Sequence, residues 1–325
     1  MSLFSQSGTQ SGPTLADVGE FALIDKIIAD LPDRPDVLIG PGDDGAVITI
    51  EGPLVCSVDV LIENVHFKTQ WSPAESIGRK SVAVNVADIE AMGATATGLV
   101  IGFAAPLETP QAWVLDFVAG LRSESDATGV ALLGGDITRA DKIAISITVF
   151  GTLEGRAPVT RSGARPGDVV AVRGRLGWAA AGWAVLGRGF RSPRAAVQAY
   201  QVPEPPYGQG KAAALGGATS MIDISDGLLA DLGHIADRSG VSIDVRREAF
   251  EVPEPLQAVA AATGSDPYTL ILTGGEDHAL AATFAPGDVP EGWTEIGSVS
   301  QAGEAPTVTV DGAVWEESTG WDHYR

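Results

Sequence analysis

Residues 72–93 read SPAESIGRKSVAVNVADIEAMG, and they carry the clearest fold signal in the chain. Ser72 and Pro73 suit the cap and first turn of a helix. From residue 80 onward, apolar residues occupy nearly every side, which is typical of a buried helix. Asn85 and Asp88 lie three positions apart and therefore share one face. Either they bond to each other or to nearby backbone, or they form a ligand stripe that faces acids of the preceding strand.

The segments on either side of this helix alternate between strands and helices. Residues 54–61, 97–105, 130–136 and 143–153 are apolar, β-branched runs that predict strands, the third breaking at its two glycines. Helices are predicted at 18–31 and 111–129. Residues 154–167 hold three arginines and two prolines, which interrupt the pattern and mark a domain boundary. We therefore expect a disordered tail at 1–17, an N-terminal domain at 18–153 and a C-terminal α/β domain at 154–325.

The C-terminal half repeats the combination of strands, glycines and acids. A strand at 168–172, a G-x-x-G turn and a helix at 178–187 resemble a dinucleotide fingerprint, but the glycine spacing is wrong and a plain turn is favoured. Ser225 and Asp226 follow a short strand and open a helix, where free backbone N–H groups favour phosphate. Residues 268–272 predict another strand, and 307–315 a hairpin.

Composition limits the classes of partner. The 325-residue chain has 42 acidic and 21 basic residues and a formal net charge of −21. Such a charge repels nucleic acids and anionic membranes, so we expect neither as a partner. A single cysteine, Cys56, excludes an internal disulfide and fits a reducing compartment. With no signal-peptide pattern and no membrane-length apolar run, a cytoplasmic location is predicted.

Acidic residues recur at predicted strand ends, in glycine-rich turns and on the buried helix. The turn at 38–47, LIGPGDDGAV, holds two adjacent acids that a solvated turn could tolerate or a cation could use. Taken together, the acids are harder to explain as solvated surface, and oxygen-only ligands favour several Mg²⁺ or Mn²⁺ ions. Mg²⁺ typically bridges carboxylates to the phosphates of a substrate, so the expected reaction is phosphoryl transfer. The residues of this set are Asp43, Asp44, Asp59, Asp88, Asp136, Asp223, Asp226 and Glu276.

The sequence lacks the motifs of other common classes of enzyme site. The sequence has no Walker-type phosphate loop and no G-x-S-x-G nucleophile elbow. Its four histidines and one cysteine show no zinc-ligand spacing. Phosphoryl transfer without a P-loop is therefore the favoured reaction class.

Eight segments, in this order, resemble the thiamine-monophosphate kinase family. They span nearly the whole chain after residue 18, and some are shared more loosely with the wider superfamily of aminoimidazole ribonucleotide synthetase. The segments are GDDGAV (42–47), SVDVLIENVHF (57–67), KSVAVNVADIEAMGA (80–94), GGDITR (134–139), RSGARPGD (161–168), MIDISDGLLADLGHIA (221–236), TGGEDHAL (273–280) and GWDHY (320–324).

The resemblance implies an ATP- and Mg²⁺-dependent phosphorylation of thiamine monophosphate. It also implies a two-domain α/β fold and a homodimer formed through an N-terminal mixed sheet. By position, it implies Mg²⁺ ligands at Asp44, Ser57, Asp59, Asp88, Asp136, Asp223 and Asp226, with Asp59, Asp136 and Asp226 central to catalysis. The implied ATP contacts are Gly135, Asp136, Arg161 and Ser225, and the implied thiamine contacts are His66, Glu276 and Trp321.

Four positions depart from the family pattern. Val58 replaces a threonine, Trp178 an aspartate, and His278 and Trp321 replace residues that are more often tyrosine. None removes an acid of the set, although the thiamine pocket could be reshaped. Two alternatives stay open: an ATP-dependent enzyme of the same superfamily with another acceptor, and a non-catalytic metal–nucleotide binding module.

Overall fold

The computed structural model describes residues 12–29, 31–41 and 45–320. Its two main sheets are a four-stranded one in the N-terminal half and a seven-stranded one in the C-terminal half, and a two-stranded hairpin precedes them. The helices are α1 Leu15–Val18, α2 Glu20–Ile28, α3 Ala74–Ala91, α4 Gln111–Thr128, α5 Trp178–Gly187, α6 Arg194–Gln201, α7 Gln209–Leu215, α8 Leu228–Ser239, α9 Glu254–Thr263 and α10 Pro267–Thr273. The strands are β1 Val37–Ile39, β2 Val47–Ile48, β3 Leu54–Ile62, β4 Thr95–Ala105, β5 Ala131–Arg139, β6 Ala144–Thr152, β7 Val169–Arg173, β8 Ser220–Ile224, β9 Val241–Val245, β10 Ala279–Phe284, β11 Thr294–Gln301, β12 Val308–Val310 and β13 Ala313–Val314.

The four-stranded sheet has the order β3-β6-β4-β5 and is mixed, because β4 and β5 run parallel while the other pairs are antiparallel. Helix α3 packs against α4 and against this sheet, and most of its residues are buried, as its sequence predicts. The two helices approach closely at Gly78 and Gly120. A Cβ atom at either glycine would overlap backbone of the opposite helix, so this packing requires glycine.

Strand β3 has two different faces because successive side chains of a strand point in opposite directions. Ser57 and Asp59 belong to the inner face, toward α3. Leu54, Val58 and Val60 belong to the outer face, where they are 50%, 57% and 46% exposed. The outer face of this edge strand is thus apolar and uncovered in the single chain.

The seven-stranded sheet has the order β13-β12-β9-β11-β7-β10-β8. Strand β8 is buried along its whole length, and helix α8 covers it within the larger hydrophobic core. Asp223 is the one charged residue of β8, and it lies next to the turn that starts α8. A lone acid on a buried strand needs a partner, and the structure provides one in the candidate site.

Several predictions from sequence are wrong in detail. Residues 268–272 form part of helix α10 rather than a strand, because Asp266 caps the helix through the Tyr268 N–H group and Pro267 occupies its first turn. Strand β5 continues through its two glycines to residue 139. A Cβ at Gly135 would overlap the Ile101 carbonyl oxygen, so glycine permits close strand packing there. The predicted tail cannot extend to residue 17, because α1 begins at Leu15.

The predicted α/β class is confirmed, with mixed sheets and packed helices in both halves. The exact domain limits remain a prediction. Within the described ranges, no helix combines the length and apolar character needed to cross a membrane.

Candidate active site

An acidic cavity of about 160 Å³ lies between the two halves of the chain. Strand β3 and helix α3 form its N-terminal wall, and the ends of β8 and of the 274–278 loop form its C-terminal wall. Eight ionisable side chains line it. They are Asp59, His66, Lys80, Asp88, Asp223, Asp226, Glu276 and His278.

The N-terminal wall is held together by hydrogen bonds between β3 and α3. The Ser57 hydroxyl donates to the Asp88 carboxylate at 2.6 Å, and the Asp59 N–H donates to the Asn85 side-chain oxygen at 3.2 Å. The Asn85 amide in turn donates to the Ser81 carbonyl at 2.9 Å. Asn85 and Asp88 therefore do not pair with each other. Asn85 positions the strand, whereas Asp88 faces the cavity.

Burial and neighbouring carboxylates raise the pKa of Asp59 and Asp88, the two acids of the N-terminal wall. Burial raises the pKa of Asp88 to about 7, and the nearby charges of Asp223 and Asp59 add to this effect. Burial also raises the pKa of Asp59, and Asp223 and Glu276 contribute. Like charges in a partly desolvated cavity favour protons or bound cations. The cavity is therefore suited to a positively charged ligand.

The turn at 225–227 is organised by Asp231, which is 2% exposed. Its carboxylate accepts the N–H groups of Ser225, Asp226 and Gly227, each at 3.1 Å. The expectation that these N–H groups bind phosphate is therefore wrong, because a carboxylate of the same helix already occupies them. Burial raises the pKa of Asp231 to about 7, with a further contribution from Asp223.

The 274–278 loop is fixed against this turn. The Glu276 N–H donates to the Ser225 carbonyl at 2.7 Å, and the His278 N–H donates to the Ile224 carbonyl at 2.9 Å. Both residues have positive φ values, 69° and 52°. Such values are uncommon for side chains larger than glycine, so the surrounding contacts must hold them.

Each of these two side chains has a charged partner in the cavity. Glu276 pairs with the Lys80 ammonium at 2.6 Å, and His278 Nδ1 lies 3.2 Å from the Asp223 carboxylate. Burial alone would raise the pKa of Glu276, but Lys80, His278 and His66 together lower it. Burial alone would lower the pKa of His278, but Asp223 and Glu276 raise it. Each of the two carboxylates thus has a basic partner, Glu276 across the cavity and Asp223 within the C-terminal wall.

A second cavity, of about 300 Å³, adjoins the acidic one and shares His66, Ser225 and Glu276 with it. Its other walls are mainly apolar or aromatic. Trp183 is 53% exposed there, whereas Tyr200 is 6% exposed. The sequence analysis missed both residues, because a tryptophan and a tyrosine on amphipathic helices are usually explained by core packing. Gly320 also lines this cavity.

Asp277 is a further residue that the sequence analysis missed. Its buried carboxylate accepts the N–H groups of Gly177 at 2.5 Å and Ala179 at 2.8 Å, at the start of α5. This confirms a plain strand-to-helix turn at the G-x-x-G segment. A protein carboxylate, rather than a nucleotide, satisfies these N–H groups.

The structure does not bring all predicted site residues together in one chain. Strand register places Gly135 level with Asp59, but on the opposite edge of the four-stranded sheet. Three strand spacings separate them, about 14 Å. Asp136 is exposed, and the strand register places it level with Val60 of β3 across the sheet. Arg161 is exposed in the segment between the two main sheets, and Asp43, Asp44 and Trp321 lie outside the described residues.

The departures from the family pattern have different surroundings. Val58 points to the outer face of β3, away from Asp59. Trp178 begins α5 with the Arg175 guanidinium 5.2 Å from its ring centroid. His278 contacts Asp223, so this is the departure that reaches the acidic cavity.

The carboxylates that line the acidic cavity meet some of the requirements of a Mg²⁺ site. In the part of the chain that the structure describes, no three His, Cys, Asp or Glu side chains are grouped closely enough to hold a metal ion by themselves. Mg²⁺, however, commonly uses one or two carboxylates together with waters and substrate phosphates. The raised pKa values of Asp59 and Asp88 are consistent with such an arrangement.

Comparisons with known proteins identify the class and then the family. The AIR synthase related protein N-terminal domain matches residues 42–153, and the corresponding C-terminal domain matches 165–307. The thiamine-monophosphate kinase of Mycobacterium tuberculosis is 46% identical over 314 residues, covering 96% of this chain and 93% of that protein. The chain belongs to the thiamine-monophosphate kinase family.

Solved structures of this family share the fold. The thiamine-monophosphate kinase of Stenotrophomonas maltophilia K279a has a TM-score of 0.80 and 32% identity, covering 92% of this chain and 98% of that one. AaThiL complexed with AMPPCP and TMP has a TM-score of 0.76 and 31% identity, covering 94% and 97%.

Proposed function

We propose that the protein transfers the γ-phosphoryl group of ATP to the phosphate of thiamine monophosphate, giving thiamine diphosphate and ADP. The observation that carries this proposal is the pair of adjoining cavities, one apolar and one acidic, with shared walls at His66, Ser225 and Glu276. A substrate with a heteroaromatic body and a phosphate end matches that division. The named relatives and the AaThiL complex with AMPPCP and TMP support the same reaction.

The acidic cavity is the proposed place of phosphoryl transfer. Asp59, Asp88, Asp223 and Asp226 line it and would hold Mg²⁺, and the family pattern adds Asp44, Ser57 and Asp136. Bound Mg²⁺ would neutralise phosphate charge and align the reacting groups. The acceptor phosphate is already ionised at neutral pH, so no protein general base is required.

The remaining proposed contacts follow the family pattern. Gly135, Asp136, Arg161 and Ser225 would bind ATP, with the Arg161 guanidinium suited to bidentate phosphate contact. His66, Glu276 and Trp321 would bind the thiamine substrate. Of these, His66, Ser225 and Glu276 line both cavities.

A homodimer is proposed because of the uncovered face of β3 and the position of Asp136. Leu54, Val58 and Val60 form an exposed apolar row on an edge strand, which is typical of an interface. Asp136 lies at the opposite edge of the same sheet as Asp59. Two sheets that meet edge to edge would bring β5, which carries Asp136, of one copy next to β3, which carries Asp59, of the other. A cytoplasmic location is also proposed, supported by the reducing compartment that a single cysteine suits.

The test is an assay of purified protein with ATP, thiamine monophosphate and Mg²⁺, in which thiamine diphosphate and ADP are both quantified. Equal amounts of the two products, dependent on Mg²⁺ and abolished by chelation, are expected. ADP formation only with another phosphorylated or amine acceptor would favour a different enzyme of the superfamily. Nucleotide binding with no turnover of any acceptor would favour a non-catalytic module.

A further inference from the structure

Lys80 is a buried cation at the junction of the two cavities. The residue is 2% exposed, and among the described residues it is the only lysine or arginine that is fully buried. Its ammonium lies 2.6 Å from the Glu276 carboxylate, 3.4 Å from the His66 carbonyl oxygen and 5.0 Å from the Tyr200 ring centroid. A buried ammonium is costly unless it is paired, so these contacts account for its presence in the core.

These contacts join elements that are distant in sequence. Lys80 belongs to α3, His66 follows β3, and Glu276 lies on the 274–278 loop of the C-terminal half. Lys80, Val84 and Asp88 are spaced by one helical turn each, so they share the face of α3 that lines the acidic cavity. The ammonium therefore links the N-terminal wall of the site to its C-terminal wall.

The Glu276 backbone is fixed because its N–H group donates to the Ser225 carbonyl. Only the direction of the Glu276 side chain can then vary. The Glu276 side chain is 38% exposed, whereas that of Lys80 is 3% exposed. Glu276 can thus meet a ligand, while Lys80 lies behind it. Without Lys80, the Glu276 carboxylate would face a cavity rich in other carboxylates and would turn away from them.

We propose that Lys80 is a positioning residue for the acceptor substrate, fixing the Glu276 carboxylate and the His66 backbone at the wall that thiamine monophosphate contacts. This proposal rests on the proposed function and deepens it. Lys80 acts through Glu276 and His66 rather than by binding ATP. Its loss weakens the acceptor site selectively.

The test compares steady-state kinetics of wild type and Lys80→Met, varying thiamine monophosphate and ATP separately. The KM for thiamine monophosphate should rise roughly tenfold to a hundredfold, as expected for a lost charged hydrogen bond. The KM for ATP should change less than about twofold, because Lys80 contacts Glu276, His66 and Tyr200 and none of these is a proposed ATP contact. Lys80→Arg, which keeps the charge, should recover most of the affinity for thiamine monophosphate.

Lys211→Met is the matched control. Lys211 also forms a 2.6 Å ion pair, with Glu154 at the predicted domain boundary, but neither residue lines the acidic cavity. Both KM values should stay at wild-type levels in this control. A selective effect of Lys80→Met therefore cannot be explained by the loss of a lysine–glutamate ion pair alone.

A second comparison tests whether Lys80 acts through Glu276. Lys80→Met should add little to the KM for thiamine monophosphate in a Glu276→Gln background, because the group that it positions is already altered. This double variant also removes both charges, which keeps the test available if Lys80→Met alone fails to fold. The proposal would be overturned by equal rises in both KM values or by an unchanged KM for thiamine monophosphate. It would also be overturned if Lys80→Met raised that KM in the Glu276→Gln background as much as in wild type. Wild-type protein that makes no thiamine diphosphate would instead refute the proposed function itself.

Discussion

The Ser57 hydroxyl donates a 2.6 Å hydrogen bond to the Asp88 carboxylate, which joins β3 to α3 at the wall of the acidic cavity. Two residues with the same implied role as metal ligands are thus in contact within one chain. The contact also fixes the strand whose next inward residue is Asp59. The acids of this wall are held close despite their like charges.

Asp59→Asn should abolish most turnover without unfolding the protein. Removing one charge from a site that stabilises transferring phosphate is expected to lower kcat roughly hundredfold or more. The same change relieves repulsion with Asp223 and Glu276, so the metal-free variant should melt at the same or a higher temperature. Differential scanning fluorimetry with and without Mg²⁺ checks this, and a smaller Mg²⁺-induced shift than in wild type is expected. Near-normal kcat would remove Asp59 from the proposed ligands.

Asp231→Ala should destabilise the turn at 225–227. The substitution leaves three backbone N–H groups without their acceptor, which is expected to lower the free energy of unfolding by about 2–3 kcal/mol. Asp231→Asn retains one side-chain oxygen and should lose less. Urea unfolding of both variants measures the difference. Equal stability of all three proteins would show that the turn does not depend on this carboxylate.

Trp183→Ala should weaken binding of the acceptor, thiamine monophosphate, and leave binding of ATP unchanged. Trp183 lines the apolar cavity and is 53% exposed, so its removal costs little packing. Loss of an aromatic contact should raise the KM for thiamine monophosphate by up to about tenfold and leave the KM for ATP unchanged. Phe190→Ala is the control, because Phe190 is 64% exposed and does not line that cavity. A larger change in the KM for ATP than in the KM for thiamine monophosphate would show that the thiamine ring does not bind in this cavity.

Glu154→Gln should lower stability at neutral pH but not in strong acid. Hydrogen bonds from Lys211, Thr95 and Arg156 lower the pKa of Glu154 to about 2 from a usual value near 4.5. A lowered pKa means that the stabilising contribution is complete above pH 4.5 and disappears as the pH falls toward 2. The urea midpoints of wild type and variant should therefore differ at pH 6, differ less at pH 3 and converge near pH 2. A constant difference would contradict the ionic origin of the effect.

Val58→Glu should separate the proposed dimer. A charge in the apolar outer face of β3 would be buried without a partner in the interface. Light scattering after gel filtration should give a dimer mass for wild type and a monomer mass for the variant, with a large loss of kinase activity. Val314→Glu is the control, since Val314 is 66% exposed on the other sheet. A monomeric, active wild type would refute both the dimer and the role proposed for Asp136 of a second copy.

Residue patterns predicted the helices and strands best where a segment was long. Helix α3 was predicted from apolar residues on nearly every side, and strand β3 from an apolar, β-branched run. The 268–272 run was misassigned because a short apolar stretch suits either structure, and its cap at Asp266 was overlooked. The family resemblance indicated the acids of the cavity, and the structure brings Asp59, Asp88, Asp223 and Asp226 to one place.

The supporting residues were harder to predict. Asp231, Asp277 and Lys80 act on backbone or side chains that are distant along the sequence or across a turn, and nothing in their local pattern shows this. Asp231 has the local pattern of an ordinary helix position, yet it organises the turn that carries Ser225 and Asp226. Such roles depend on three-dimensional contacts, so a single sequence does not reveal them.

The acidic cavity has one wall from each half of the chain, so neither half alone forms the proposed site of phosphoryl transfer. Natural selection on catalysis must therefore act on the seam between the halves as strongly as on the acids themselves. Contacts such as the hydrogen bonds from the Gly208 and Gly210 N–H groups to the Glu90 carboxylate of α3, outside the acidic cavity, contribute to keeping that seam in register. A substitution there that does little to either half alone can still misalign the two walls, so the effects of mutations in this protein cannot be ranked by distance from the substrate.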